Sequence, residues 1–159
     1  MRIVVVSDHA AFEAKVALKA HLVAKGHQVL DLGTDGAASV DYPDFAAKGG
    51  RALAAGLGER GIFLCGSGVG ICIAANKVRG VRAAQVYDTF TAEMSRRHND
   101  ANVACFGART HDGQTIARLA DVFLATPFEG GRHAQRVEKI SALEIAEGTG
   151  TSAPTGGCC

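Results

Sequence analysis

No tryptophan occurs among the 159 residues and tyrosine occurs only twice, so little of the tryptophan and tyrosine surface on which single-stranded nucleic acid stacks is available. An excess of one charge is missing too. The chain has 17 Lys and Arg against 16 Asp and Glu, a formal net charge of +1 with the signs mixed along it, which offers no basic stripe for a phosphate backbone. No nucleic acid partner is expected. No apolar run approaches the roughly 20 residues that span a bilayer. The start, Met1-Arg2 running through Ile3-Val4-Val5-Val6 into Ser7-Asp8-His9, is too short for a signal segment, and a cytoplasmic protein without membrane contact is expected. Gly-Lys-Ser and Gly-Lys-Thr are absent, which excludes a Walker A loop. The five cysteines, at 65, 72, 105, 158 and 159, include no Cys-x-x-Cys pair and form no zinc set with the histidines. Reduced thiols, no metal and no cofactor are the reading.

Hydrophobic residues make up 47% of the chain, enough for one core and too little for two domains. One domain is expected over residues 1–147. A Gly/Thr/Ser-rich tail, 148–159, carries the Cys158-Cys159 pair. Strand-like runs at Arg2–Ser7, His27–Asp31, Gly61–Cys65, Val81–Val86 and Asn102–Phe106 alternate with helical patterns. In the first of these, Phe12, Val16 and Val23 form the apolar face, and Lys15, Lys19 and Lys25 are left for solvent. Such alternation builds an α/β fold: a three-layer α/β/α sandwich around a five-stranded parallel sheet, Rossmann-like or flavodoxin-like, with right-handed crossovers. Two more helices are expected at Asp112–Leu124 and Arg132–Glu147. The stripe Val137, Ile140, Leu143 on the last suits packing across a dimer.

Ligands of such sheets bind beyond the carboxyl ends of the strands, and polar residues gather there. Strand one ends in Ser7-Asp8-His9, strand two leads to Asp41-Tyr42-Pro43, strand three ends at Cys65, and strand five leads to Arg109. The segment Cys65-Gly66-Ser67-Gly68-Val69-Gly70 joins a strand to a helix through glycines, a ready cradle for an anion with a thiol beside it. Its third glycine comes one place too early for a dinucleotide fingerprint. Each residue also has a plain structural reading. Cys65, like Cys72 and Cys105, suits a small core hydrophobe; Asp8 suits an N-cap; His98 suits a helix C-terminus; Arg132 and Arg136 suit a solvated pair. His9 in a phosphate-facing loop is either a cation or a neutral donor. Asn99 and Arg109 are placed to reach the same rim as His98. His133, one residue past Arg132, points elsewhere and is not counted as a ligand, and His21, His27 and His111 suit exposed positions.

Together, Ser7-Asp8-His9-Ala10, Asp41-Tyr42-Pro43, Cys65–Gly70 with Ile73–Lys77, Arg97–Val103 and Glu129–His133 resemble the type B ribose-5-phosphate isomerases and the galactose-6-phosphate isomerase subunits. The resemblance runs from Arg2 to about Glu144. It implies a metal-independent aldose–ketose isomerase acting through an enediolate, its site shared between two subunits of a homodimer or dimer of dimers. It also implies that Cys65 is the base, His98 the ring-opening acid, and Asp8 the handler of hydroxyl protons. Gly66, Ser67, Gly68, Val69 and Gly70 then cradle the enediolate, Tyr42 and Asn99 contact the sugar, and His9, Arg109, Arg132 and Arg136 hold the phosphate. Some similar enzymes use serine at the cysteine position and a glutamate in the loop; Cys65 and Val69 put this chain with the cysteine-base group. Allose 6-phosphate, galactose 6-phosphate, a tetrose phosphate, or a non-catalytic phosphosugar-binding subunit remain alternatives.

Overall fold

The computed structural model describes residues 1–148. Five parallel strands, β1 (Arg2–Ser7), β2 (Gln28–Asp31), β3 (Arg60–Cys65), β4 (Ala83–Gln85) and β5 (Val103–Gly107), lie in the order β2-β1-β3-β5-β4. The three central strands are apolar on both faces, as a sheet covered on both sides requires. Alternate residues divide between the two cores. Ile3, Val5, Ile62, Leu64, Ala104 and Phe106 face α1 (Phe12–Ala24), α4 (Thr89–Asn99) and α5 (Gly113–Ala125). Val4, Val6, Phe63, Cys65, Val103 and Cys105 face α2 (Tyr42–Ala54) and α3 (Val69–Ala75). The sixth helix, α6 (Arg132–Gly148), packs on α4. Residues 149–159, including Cys158 and Cys159, lie outside the described residues, and Gly148 closes α6 rather than opening the tail.

Two expectations are corrected. The inner face of α1 is Leu18 and Leu22, both at most 1% exposed, while Val16 and Val23 are half exposed. Lys15, expected in solvent, is buried because its ammonium reaches Asp31 Oδ1 at 2.9 Å and the Thr34 carbonyl at 2.7 Å. Hydropathy cannot anticipate a lysine whose aliphatic stem lies along the core and whose head finds a carboxylate. The strand order is the other feature that periodicity left open: β5 inserts between β3 and β4. The chain leaves β1 toward β2 on one side and returns to β3 on the other, so the topological switch point lies between the ends of β1 and β3.

Candidate active site

A cleft of about 380 Å³ opens at that switch point, lined by Asp8, His9, Tyr42, Cys65, Gly66, Ser67, Gly70 and Arg109. Cys65 is the last residue of β3 and only 4% exposed. The backbone then turns through Gly68, at φ +80°, a left-handed conformation open to glycine without strain. That turn aims the Gly68 N–H at the Cys65 sulfur, 3.1 Å away. A thiolate, the form of cysteine that acts as base or nucleophile, accepts such a bond. Gly70 serves space rather than conformation, because a β-carbon there would sit 2.6 Å from Tyr42 Cζ. Its lack of a side chain lets the tyrosine of α2 lie against the first turn of α3. Two bonds tie the rim of β5 to the loop: Ala108 N–H donates to the Cys65 carbonyl and Arg109 N–H to that of Gly66, each at 2.9 Å. From the far side, Gln85 Nε2 donates to the Ser67 carbonyl at 3.1 Å.

Asp8 is both a cap and part of the cleft wall. Its Oδ1 accepts from Ala11 N–H at 3.2 Å, capping the short 3-10 turn at His9–Ala11, and its carboxylate lines the cleft. His9 Nδ1 accepts from Val40 N–H at 3.2 Å. An imidazole whose Nδ1 accepts carries its proton on Nε2, so His9 is held as a neutral donor. Cys72 and Cys105 stay out of this constellation. Cys105 is fully buried and burial pushes its thiol well above the ordinary value, and the Cys72 thiol donates to the Ala83 carbonyl at 3.5 Å.

The expected convergence of His98 and Asn99 with Arg109 is corrected. Helix α4 runs back against the strands, so its C-terminus lies at the amino edge of the sheet. Arg82 Nε donates to the carbonyls of Asn99 and Asp100, and Gly61 N–H, beside the start of β3, donates to that of Asn102. The six residues of β3, at about 3.3 Å each, put roughly 17 Å between this edge and Cys65. Here His98 meets His133 in the first turn of α6, the helix that also carries Arg132 and Arg136, and Asn99 shares a pocket with Ile140, Leu143 and Glu144 farther along it. Glu129 N–H donates to the Arg97 carbonyl at 3.1 Å, Arg97 Nε donates to Glu129 Oε2 at 3.2 Å, and His98 Nε2 lies 3.9 Å from that oxygen.

His133, set aside on sequence, stacks flat on His98, with ring centroids 4.2 Å apart and planes within 3°. Its signal was present, since His133, Val137 and Ile140 share one helical face. His98, Glu129 and His133 bring ligand atoms within 4.8 Å of one another. Parallel rings direct their lone pairs side by side rather than toward one point, so the arrangement is poor for a metal ion.

The fold and cleft define an α/β protein with a buried thiol at a glycine loop, and comparison with known proteins narrows the class. The ribose/galactose isomerase family model matches residues 3–140. The chain is 44% identical over 137 residues to ribose-5-phosphate isomerase B of Escherichia coli, covering 86% of this chain and 92% of that protein. It is 43% identical over 143 residues to a probable ribose-5-phosphate isomerase B of Mycoplasma pneumoniae, covering 89% and 94%. Among solved structures, ribose-5-phosphate isomerase B of Clostridium thermocellum superposes with a TM-score of 0.91 at 44% identity, covering 92% of this chain and 99% of that one. The chain belongs to the ribose/galactose isomerase family and is an isomerase. Among the described residues, no helix is long and apolar enough to cross a membrane.

Proposed function

We propose that this enzyme interconverts ribose 5-phosphate and ribulose 5-phosphate without a metal, through an enediolate, at sites each built from two copies of the chain. The observation that carries the reading is Cys65, buried at the switch-point cleft with an amide hydrogen on its sulfur and Asp8 on the same wall. His98 gives a proton to the furanose ring oxygen while Asp8 takes one from the C1 hydroxyl, opening the ring to the aldehyde. The Cys65 thiolate removes the C2 proton, and the electron pair moves to form the C1–C2 double bond with negative charge on O1. Amides of the 66–70 loop stabilise that charge as it develops. Asp8, protonated since ring opening, gives its proton to O1 and takes the one on O2. Cys65 returns its proton to C1, leaving the ketone at C2, and exchange with solvent moves the Asp8 proton back to His98.

His9 Nε2–H and Arg109 hold the phosphate from one copy, and Arg132 and Arg136 from the other. Tyr42 and Asn99 contact the sugar in the same divided way. The division follows from the ~17 Å between the edges of one sheet. Exposed apolar residues along α3 and α6, with Ile73 58% and Leu143 62% exposed, support pairing of copies there.

The test is isomerisation in the presence of a chelator by wild type and Cys65→Ala, on ribose 5-phosphate with allose 6-phosphate and galactose 6-phosphate alongside. Pentose turnover in the wild type, lost at least a thousandfold in the variant while phosphosugar still binds, is expected for removal of the base. Binding without turnover of any of the three sugars by the wild type would make the chain a phosphosugar-binding subunit.

A further inference from the structure

His98 is held by more than its own helix. Gly130 and Gly131, at φ +67° and +56°, swing the chain from the Glu129 contact into α6 so that His133, in its first turn, faces α4. His133 is 4% exposed. Arg132 Nε donates to its Nε2 at 3.4 Å, so that nitrogen is the acceptor and Nδ1 carries the proton. Burial, then the neighbouring His98 and Arg132, hold the His133 imidazole below its ordinary value, with Glu129 opposing and Arg136 adding to them. The ring therefore offers His98 an uncharged flat face, while Glu129 stands at the edge of His98 beside Arg97.

We propose that His133 is a positioning residue whose ring, stacked on His98, holds that imidazole in the plane from which it protonates the furanose ring oxygen. The inference rests on His98 being the ring-opening acid. A side chain in the last turn of a helix has more than one staggered rotamer open to it, and for His98, with 39% of its side chain exposed, the contacts among the described residues are the stack and a Glu129 carboxylate oxygen 3.9 Å from Nε2. A small loss of alignment at a reacting group costs rate steeply.

Ribulose 5-phosphate has its C5 oxygen phosphorylated and cannot close a furanose ring, so exchange of its C1 proton in deuterium oxide reports on Cys65 without ring opening. Turnover from ribose 5-phosphate needs both steps. His133→Leu keeps the volume and loses the flat ring; His133→Phe keeps the ring. The expected result is kcat on ribose 5-phosphate down about tenfold in His133→Leu, with KM and the ketose C1 exchange rate within about twofold of wild type, and most of the loss recovered in His133→Phe. Equal loss of turnover and exchange, unchanged turnover, or a Phe variant no better than Leu each overturns the proposal. His98→Asn separates the two readings. Loss of turnover with exchange kept supports His98 as the acid, and the proposal then stands or falls on the His133 variants alone. Turnover kept in His98→Asn removes the acid assignment and the proposal with it.

Discussion

Gly70 is the residue whose smallness the cleft depends on most directly. Alanine there would place a methyl 2.6 Å from Tyr42 Cζ and 2.8 Å from its hydroxyl, in a helical turn where alanine is otherwise favoured by about 1 kcal/mol. Gly70→Ala is therefore expected to keep or slightly raise the melting temperature while displacing Tyr42, raising KM for ribose 5-phosphate about tenfold. Steady-state kinetics check this, and the Tyr42→Ala background sharpens the check, because adding Gly70→Ala to it should change nothing further. An additive loss in the double variant would mean that the methyl acts on something other than the tyrosine. At this scale the site was largely legible. A cysteine closing an apolar strand before spaced glycines, and Asp8-His9 and Arg109 after neighbouring strands, all reach the cleft because strand ends in a parallel sheet share an edge. The stack of His133 on His98 was passed over on sequence because adjacent helical positions diverge by about 100°, which set His133 apart from Arg132. That rotation turns it toward His98, while the long Arg132 side chain still reaches back to its Nε2.

Among the elements, the junction of α1, β2 and the following loop rests on one buried charge. The Lys15 side chain is 3% exposed and that of Asp31 19%. Burial disfavours the Asp31 carboxylate, but hydrogen bonds from Lys15 and the Gly33 amide and the Lys15 charge outweigh it, so its carboxyl sits below the ordinary value. Removing one partner of a buried pair strands the other. Asp31→Ala should destabilise the fold by about 3 kcal/mol, because the ammonium keeps only the Thr34 carbonyl, whereas Lys15→Met, which refills the space, should cost about 1 kcal/mol. Urea denaturation measures both, and equal costs would contradict the asymmetry. A depressed folded-state carboxyl stabilises at pH above its unfolded value, about 3.9, and that contribution is lost as pH falls toward the folded value. Stability of Asp31→Ala should accordingly fall less steeply than wild type between about pH 5 and 2. Element positions were read closely from periodicity, β1 to the residue. Lys15 inverted the expected face of α1, since its burial depends on a carboxylate sixteen residues away, and β4 shrank to three residues, Ala83–Gln85, as an edge strand tends to.

For the whole molecule, the proposed function turns on one chain holding its candidate site residues at opposite edges of its sheet. Sequence order hid this, because His98 and Arg109 are only eleven residues apart yet α4 and β5 carry them to different ends. In the proposed dimer, two copies related by a two-fold axis would bring the Cys65 edge of each against the His98 edge of the other, giving two identical sites, and a net charge of +1 sets up little repulsion between them. The arrangement predicts complementation. Cys65→Ala and His98→Asn are each expected to be nearly inactive on ribose 5-phosphate as pure proteins. When equal amounts are co-expressed and reassort at random, about half the dimers are mixed. In each mixed dimer one site carries both substitutions and the other carries neither, so activity should return to about a quarter of wild type. Differently tagged variants show by pull-down whether mixed dimers formed. Mixed dimers without recovered activity would mean that Cys65 and His98 do not act together across the interface. Full activity in a wild-type monomer would require His98 to have no part in the site.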